Sequence, residues 1–273
     1  FDDVVPSASI GYKLTDMSNL RLGYNMRIYR PGIWYLNPYL NDTDPSYISQ
    51  GNSELDSEKS HAFNLSYSSF TQKFNINLSA RYSVTNNSIE NVTKLMPDTE
   101  IEGLKNPTGK DVLYSTYANI GKTRRASVSA YVNWNATPRT RIYMNMSGDY
   151  SYMEGSEGMR NDGWSLFAYG GAQQTLPHDW RISLNVFGQT PWIMLQGKGS
   201  SFFDYGLSVN KSFLNKRLTL SAFASNFFKK YMDQSSTTEG AGFIRESSYK
   251  YSRQRFGISV SYRIGELKAS VKK

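Results

Sequence analysis

The chain has 273 residues, with 31 Lys and Arg against 23 Asp and Glu for a formal net charge of +8, and it contains no cysteine. The absence of cysteine excludes disulfides, thiolate metal sites and cysteine nucleophiles together. Hydrophobic residues make up 39% and aromatic residues 14%, and no apolar run approaches the ~18–20 residues of a spanning helix, which excludes a helical membrane protein.

Apolar residues alternate with polar or small ones along most of the chain, which is the pattern of β-strands. In residues 20–28 one face carries Leu, Leu, Tyr, Met and Ile, and the other carries Arg, Gly, Asn and Arg. The same alternation predicts strands over residues 63–67, 74–82, 128–134, 142–146, 182–186, 205–209, 218–222 and 256–264. Tyr, Trp and Phe repeatedly close the apolar faces, as in the aromatic belts of membrane barrels. The predicted fold class is all-β, an antiparallel transmembrane β-barrel.

The connections between the predicted strands alternate between two lengths. Short turns are predicted near residues 15–19, 69–73, 135–140, 176–179 and 214–216, and long polar segments near 31–59, 86–110, 155–163, 190–201 and 232–247. Outer-membrane barrels have short periplasmic turns and long extracellular loops. The alternation therefore predicts a barrel in the outer membrane of a Gram-negative cell, with its short turns periplasmic and its long loops extracellular.

These connections separate about eleven strands, from a descending strand at about 5–14 to another at about 249–264. An odd number puts the two ends of the chain on opposite sides of the membrane, whereas complete single-chain bacterial barrels have an even number of strands. An open sheet edge cannot face lipid. We therefore expect the chain to be part of a longer barrel, with at least one further strand before Phe1.

Five segments, in this order, resemble the motifs of one family. They are Tyr24–Pro31, Leu36–Pro38, Gly51–Leu55 (with Ser53 in place of the usual Pro), Ser115–Gly121 and Arg255–Gly265. They are similar to the tyrosine-rich strand ending in Arg-Pro, the Leu-Asn-Pro loop, the approach to the next strand, the descending-strand signature and the terminal strand of TonB-dependent outer-membrane receptors. In particular, they resemble the outer-membrane β-barrel family common in Bacteroidetes.

The resemblance implies a domain organisation and a set of partners. Residues 1–265 would be the C-terminal half of a 22-stranded barrel, and residues 266–273 a short basic periplasmic tail. The N-terminal half of the barrel, a plug domain and a TonB-type energy transducer acting through the plug would be partners outside this sequence. A surface lipoprotein is a further expected partner.

The function implied by the resemblance is energised uptake of a nutrient such as a metal chelate, a glycan or a peptide. The alternative is a structural or assembly barrel within an outer-membrane surface complex that does not transport. A small barrel enzyme and a soluble all-β binding protein are further alternatives. A plug with a TonB box on the companion polypeptide would favour transport, and a lumen sealed by protein would favour the structural role.

Enzyme chemistry has few candidate residues in this chain. His61 follows Ser60 at a strand end and His178 precedes Asp179 in a turn, but isolated histidines at such positions are far more often solvated surface residues than members of a triad. Gly197–Ser201 lacks the spacing and the following helix of a phosphate-binding loop, and is interpreted as a loop tip. We expect no catalytic residues, no metal site and no cofactor.

Candidate ligand contacts lie at the extracellular end of the second strand. Trp34, Tyr35 and Tyr39 could stack on a sugar or a planar chelate, and Arg27 and Arg30 could contact an anion. The competing interpretation is structural, because the rings could pack the loop onto the barrel wall. Arginines facing the lumen could equally pair with acidic residues of a plug.

The net positive charge also bears on partners. The basic residues are spread over strand ends, loops and the tail instead of forming one stripe, so nucleic-acid binding is not expected. A barrel in this membrane contacts the lipid bilayer directly. Its basic outer surface is predicted to meet the anionic phosphates of lipopolysaccharide.

Overall fold

The computed structural model describes residues 3–265, and the predicted basic tail at residues 266–273 lies outside them. Its strands are β1 Ser7–Thr15, β2 Ser18–Tyr29, β3 Asn41–Asp44, β4 Tyr47–Ser49, β5 Glu58–Phe70, β6 Phe74–Asn86, β7 Ile89–Pro97, β8 Asp111–Asn119, β9 Lys122–Thr137, β10 Thr140–Glu154, β11 Arg160–Leu176, β12 Trp180–Gln189, β13 Ile193–Met194, β14 Gly197–Lys198, β15 Phe202–Phe213, β16 Leu218–Ser225, β17 Tyr231–Gly240, β18 Phe243–Ser252 and β19 Arg255–Tyr262. The helical elements are the single turn α1 Ile33–Leu36 and two 3-10 turns, Asp98–Glu100 and Ser156–Gly158. Within residues 3–265, no helix is long and apolar enough to cross a membrane.

Eleven strands form one antiparallel sheet in the order β1-β2-β5-β6-β9-β10-β11-β12-β15-β16-β19. Each of these strands pairs with the next one of the set along the chain, so the sheet is an up-and-down meander. Short turns at residues 16–17, 71–73, 138–139, 177–179 and 214–217 join strands at one end, and longer connections at 30–57, 87–121, 155–159, 190–201 and 226–254 join them at the other. The predicted strand number and the alternation of connections are confirmed.

Two segments expected in barrel strands lie in the loops instead. Residues 249–252 end β18, and the last barrel strand, β19, begins only at Arg255. Ser115–Asn119 belongs to β8, which pairs with β7 and, in parallel, with β4. The descending barrel strand β9 starts just after it, beyond Gly121, whose φ is 96°. The alternation of apolar and polar residues does not distinguish loop strands from strands of the barrel wall, because both have a period of two.

The strand register places the apolar residues of the eleven strands on one face of the sheet, called here the apolar face. One row of directly paired residues is Ile10, Leu22, Leu65, Ala80, Val128, Gly148 and Leu166, and another is Ala172, Leu184, Leu207, Ala224 and Phe256. Much of this face is uncovered, with Val128 64% and Ile258 82% exposed. An exposed apolar surface that extends over a whole sheet is the surface that lipid chains cover in a membrane barrel.

The opposite side of the sheet is the polar face. One of its rows of paired residues is Arg21, Ser66, Ser79, Ser129, Ser147, Phe167, Gln189 and Phe202. Cross-strand hydrogen bonds follow this row, such as Ser79 Oγ to Ser129 Oγ at 2.6 Å. The polar face is the side that lines the lumen of an outer-membrane barrel.

Aromatic side chains border the apolar face at both ends. Those near the long loops are Phe63, Tyr82, Tyr150, Trp164, Phe203 and Tyr205, and those near the short turns are Tyr12, Phe74, Trp134, Trp180, Phe213 and Tyr262. Neighbouring rings contact each other across the strands, as in Phe74–Trp134, with centroids 5.5 Å apart, and Tyr150–Trp164, at 5.4 Å. Two such borders match the aromatic belts of outer-membrane barrels, as the sequence predicts.

The long connections build a second layer that lies over the polar face. It contains two four-stranded sheets, ordered β3-β4-β8-β7 and β13-β14-β17-β18. Val92, Ile120 and Leu195 of the loops pack against Met153, which belongs to the polar face of β10. A second small core, Ile48, Ile101 and Val112, holds the first loop sheet together. The loops therefore fold inward over the lumen side of the sheet.

Two side chains join the loop sheets to each other. The Gln196 amide accepts a hydrogen bond from the Thr93 N–H at 2.7 Å and donates one to the Thr93 carbonyl at 2.9 Å, so it substitutes for a missing strand partner of β7. The Arg245 guanidinium of β18 lies 3.8 Å from the centre of the Tyr47 ring of β4, a cation–π contact. The two sheets therefore form one layer.

Leu184→Arg tests the assignment of the two faces. Leu184 lies midway along β12 on the apolar face, and its neighbour Ser183 points to the polar face. A charge at the bilayer midplane costs about 2–4 kcal/mol. Urea unfolding of the full-length protein in lipid vesicles should show that loss for Leu184→Arg and less than half of it for Ser183→Arg. Equal losses would contradict the assignment.

Gln196→Leu tests the junction of the loop sheets. Gln196 is 9% exposed and Thr93 2%, so the substitution leaves a buried backbone pair without partners, at about 1–3 kcal/mol per group. Hydrogen exchange at the Thr93 amide should accelerate roughly tenfold. Gln234→Leu on β17 of the same sheet is the control, and its effect on Thr93 should be small. An unchanged exchange rate in Gln196→Leu would show that the junction does not hold the layer.

Candidate ligand-binding site

The three predicted aromatic residues have different environments around α1. Trp34 and Tyr39 are 84% and 73% exposed. Tyr35 instead packs edge-on against Tyr117, with centroids 4.7 Å apart, and lies 6.4 Å from the Tyr29 ring. Tyr35 therefore fastens the loop to β8, and only Trp34 and Tyr39 present open ring faces.

The Leu-Asn-Pro segment and the Gly-Asn segment that follows it are joined by hydrogen bonds. Gly51 N–H donates to the Asn37 carbonyl at 3.0 Å, and Asn52 N–H donates to the Tyr35 carbonyl at 2.7 Å. The Asn52 amide donates to the Tyr117 carbonyl at 2.9 Å. A Cβ at Gly51 would lie 2.4 Å from the Asn37 carbonyl oxygen, so this close approach requires glycine. These motifs therefore build the loop.

The two predicted arginines are placed differently. Arg27 is exposed on the polar face, opposite Ser60. Arg30 is bound to Asp3, with 2.7 Å between Nη2 and Oδ2, so part of its charge is already neutralised. The structure places Arg27 and Arg30 at the loop end of β2, beside the loop that carries Trp34 and Tyr39. None of these residues lines the cavity of about 650 Å³ that lies within the loop layer.

A cavity of about 650 Å³ lies within the loop layer, between the two loop sheets and the loop end of β11. Its charged lining residues are Lys94, Arg160, Lys198 and Glu239, three cations to one carboxylate. Thr93, Asn161, Gln196 and Thr237 add polar groups. Such a lining is suited to an anionic molecule that also accepts hydrogen bonds.

The shape of this cavity depends on side chains that hold backbone turns. The Asn161 amide donates to the carbonyls of Met194 and Gly197, at 2.8 and 2.9 Å. Gly197 has a φ of 142° and lies so close to Thr237 that a Cβ would meet the Thr237 carbonyl. The sequence does not predict this cavity, because its residues come from four separate segments.

The interpretation of Gly197–Ser201 as a loop tip is wrong. Gly197 and Lys198 form β14 and pair with β17, and Ser200 is only 4% exposed. The segment is followed by the barrel strand β15 and not by a helix, so it does not form a phosphate-binding loop either. Its composition is ambiguous, because short, polar, glycine-rich segments occur both at loop tips and where backbones pack closely.

Three carboxylates of the loops have shifted pKa values. Hydrogen bonds from the Thr108 and Gly109 backbones and the Thr108 hydroxyl hold the pKa of Asp98 below its ordinary value. The Ser46 hydroxyl and N–H do the same for the pKa of Asp44. Burial, and then the nearby Glu58 carboxylate, raise the pKa of Glu90.

The two kinds of shift have opposite consequences for stability. The lowered Asp98 pKa stabilises the loop above the unfolded-state pKa of about 3.9, and this contribution is lost as the pH falls through the folded-state value. The raised Glu90 pKa favours the protonated form, so ionisation of Glu90 destabilises the fold as the pH rises. The hydrogen bonds to the Asp98 carboxylate therefore contribute their full stabilisation at neutral pH.

The histidines are not arranged for catalysis. His61 Nδ1 lies 2.9 Å from the Tyr24 hydroxyl on the apolar face, whereas Ser60 points to the polar face. His178 lies at the opposite end of the sheet, in a short turn, with a φ of 59°. Among residues 3–265, no group of three or more His, Asp or Glu side chains is placed to hold a metal ion.

Comparison with solved structures shows the fold. The chain is similar to the siderophore receptor PirA from Pseudomonas aeruginosa, with 16% identity and a TM-score of 0.60 over 83% of this chain and 39% of that one. It is also similar to the ferric enterobactin receptor PfeA in complex with BCV-L6, with 16% identity and a TM-score of 0.66 over 94% and 40%. The copper transporter OprC matches with 13% identity and a TM-score of 0.63 over 94% and 39%.

These solved proteins are receptors and transporters, not enzymes, and this chain spans about two fifths of their length. No curated protein sequence matches the chain significantly. A source in Bacteroidetes stays a prediction. The profile of the outer membrane protein beta-barrel family matches residues 1–262, almost the whole sequence. The chain therefore belongs to the outer membrane protein beta-barrel family and lies in the Gram-negative outer membrane.

Proposed function

We propose that this chain is the C-terminal half of a 22-stranded TonB-dependent receptor barrel that takes up a nutrient with energy from the inner membrane. The observation that carries the proposal is the cavity of about 650 Å³ that the loops form over the polar face. A barrel whose loops enclose a charged cavity above its lumen has a place to capture a ligand before it passes inward. The likeness to siderophore and copper receptors supports the same function.

The open edges of the sheet support the proposed half barrel. Within residues 3–265, β1 pairs only with β2, and β19 pairs only with β16. Unpaired backbone groups cost several kcal/mol each in lipid, so both edges need further strands. We assign residues 1–265 to the C-terminal portion of the barrel, and the N-terminal half of the barrel to the strands that pair with these edges.

The polar face supports a plug and, through it, a TonB-type transducer as partners. Arg21, Arg27 and Arg81 lie on this face and are not paired with a carboxylate among the described residues. A protein domain in the lumen that carries acidic residues would neutralise them, since buried charges need partners. The orientation follows from the same arrangement, with the loop layer on the cell exterior and the short turns in the periplasm.

The proposed ligand is anionic. Arg160 and Lys198 line the cavity together with the Glu239 carboxylate, and this lining, among a metal chelate, a glycan and a peptide, favours a chelate with negative charge. Trp34 and Tyr39, with Arg27 and Arg30 nearby in the chain, would make first contact with its planar groups. A surface lipoprotein would cover this layer from outside.

The alternative function is a structural or assembly barrel that does not transport. The observation in its favour is the junction of the loop sheets through Gln196 and Arg245, because a mouth held shut would pass no ligand. Transport requires that the junction open when the ligand is bound. Uptake by cells that carry the intact receptor separates the two functions.

Arg160→Gln combined with Lys198→Gln should weaken binding of a ferric tris-catecholate chelate by the full-length protein at least tenfold. Each substitution removes a charge-assisted hydrogen bond of about 1.5–3 kcal/mol. Titration calorimetry in detergent measures the affinity. Lys73→Gln with Arg139→Gln, at the short turns, is the control of equal charge and should change affinity less than twofold. Equal weakening in both double variants would refute the site.

Trp34→Ala and Tyr39→Ala should each lower the affinity of the same chelate about threefold to tenfold, in the range of one aromatic contact. Tyr35→Phe keeps the packing against Tyr117 and should leave affinity unchanged. Uptake of radioactive iron by cells, with and without the energy transducer, completes the test. Binding without transducer-dependent uptake would favour the non-transporting barrel.

A further inference from the structure

The last strand of the second loop sheet has an open edge. β18 ends the order β13-β14-β17-β18, and within residues 3–265 it pairs only with β17. It has ten residues, and its register with β17 is regular from Phe243 to Ser252. Ile244 and Tyr249 are 72% and 59% exposed. β18 is therefore a long, regular and exposed edge strand.

The other edge strands of the loop layer are short or already bonded. β3 has four residues, is irregular between Asn41 and Asp44, and is followed by Pro45. β13 has two residues, and β7 is bonded to the Gln196 amide. Short length, irregularity and proline protect an edge against the addition of another strand. β18 has no proline, glycine or bulge along its ten residues, so its edge lacks these protections.

The hydrogen bonds of the β17–β18 hairpin show which backbone groups point outward. In an antiparallel pair, residues that exchange both backbone bonds alternate with residues that exchange none. Gly240 and Phe243 close a two-residue turn, and the Arg253 N–H donates to the Lys230 carbonyl at 3.1 Å. The odd-numbered residues of β18 therefore bond to β17. The even-numbered residues point their N–H and C=O groups outward, and they are Ile244, Glu246, Ser248, Lys250 and Ser252.

The free edge of β19 continues the same alternation. The Arg263 N–H donates to the Arg217 carbonyl at 2.8 Å, one step beyond the Leu218–Tyr262 pair. The odd-numbered residues of β19 therefore bond to β16, and the even-numbered ones point outward. Two residues, 253 and 254, separate β18 from β19. The outward groups of the two strands thus form one continuous series.

Side chains fix the connection between the two strands. The Arg253 guanidinium is bound to the Asp204 carboxylate of β15. The Arg253 carbonyl accepts a hydrogen bond from the Asn226 amide at 3.4 Å, and the Gln254 amide donates to the Phe227 carbonyl at 3.1 Å. β18 is therefore held at a fixed position relative to β19.

The direction of β19 defines the strand that could reach this edge. β19 descends from the loop end, at Arg255, to the short-turn end. An up-and-down barrel closes by pairing its last strand with its first, so the first strand of the N-terminal half would ascend along β19. It would reach the loop side next to Arg255. If it continues upward, it runs antiparallel to β18.

We propose that the first barrel strand of the N-terminal half extends beyond the membrane and adds to the free edge of β18. The inference rests on the proposed half barrel. Main-chain hydrogen bonds to the even-numbered residues of β18 hold the added strand, as in other cases of strand addition. Glu246 lies opposite the uncharged Thr237 of β17, so a basic residue of the added strand fits beside it. One continuous strand then joins the barrel wall to the loop layer.

Amide hydrogen exchange of the full-length protein in lipid nanodiscs tests this pairing. Ser248 and Ser235 lie opposite each other, and their N–H groups point to opposite edges of the hairpin. β14 pairs with β17 at Thr237 and Thr238 and ends before Ser235, which makes Ser235 the control. The Ser248 amide should exchange at least about tenfold more slowly than the Ser235 amide, because it donates to the added strand.

The outward amide of Ile258 on β19 reports on the closure of the barrel itself. It should exchange as slowly as the Ser248 amide. Slow exchange at Ile258 with equally fast exchange at Ser248 and Ser235 would overturn the inference and leave the half barrel standing. Fast exchange at both Ile258 and Ser248 would overturn both.

Ser248→Pro removes an outward N–H and blocks the added strand. In the full-length protein it should make protease cleavage of the β17–β18 hairpin at least about tenfold faster, whereas Ser235→Pro should change the rate less than about twofold. Equal rates in the two variants would contradict the pairing. Heat-modifiable gel migration confirms that the barrel is folded in both.

A photo-crosslinking benzophenone side chain at position 248 of the full-length protein identifies the added strand. The expected product is an intramolecular crosslink to the segment that follows the first strand of the N-terminal half. A crosslink to a second copy of the chain, to a separate protein or to β17 alone would overturn the proposal.

Discussion

The structure depends on one constraint, that a backbone N–H or C=O in hydrocarbon must find its hydrogen-bond partner inside the protein. The eleven-stranded meander satisfies this constraint internally for nine of its strands, which have neighbours on both sides. The other features follow from it. The strands must be long enough to cross the bilayer. The turns at one end need only a few residues, and the longer connections all lie at the other end.

Alternation of apolar and polar residues was sufficient to predict most of this sheet. A one-residue slip would have turned a whole strand to the wrong side, yet Leu22, Leu65 and Val128 lie in one aligned row, as the pattern of each strand requires. The same signal failed at Ser115–Asn119 and at residues 249–252, which alternate but lie in loop strands. Only pairing partners, which are a property of the folded chain, distinguish the two kinds of strand.

The candidate sites were less predictable than the fold, for a physical reason. A ring or an arginine at the end of one strand is visible in the sequence, and Trp34 and Tyr39 do lie exposed as expected. A cavity is made by segments that are distant in the chain and adjacent only in the folded structure. The sequence therefore does not show that Arg160 and Lys198 line the same cavity.

The Gln196–Thr93 junction also has a consequence for the order of folding. The two residues are 103 positions apart in the chain, and four barrel strands, β9 to β12, lie between them. Bringing such distant residues together is slow when the intervening chain is free, because the entropy of closing a long loop is paid before any contact is gained. The hairpins of the wall are local and can form first. The loop layer therefore closes last, and its integrity reports that the wall beneath it has been assembled.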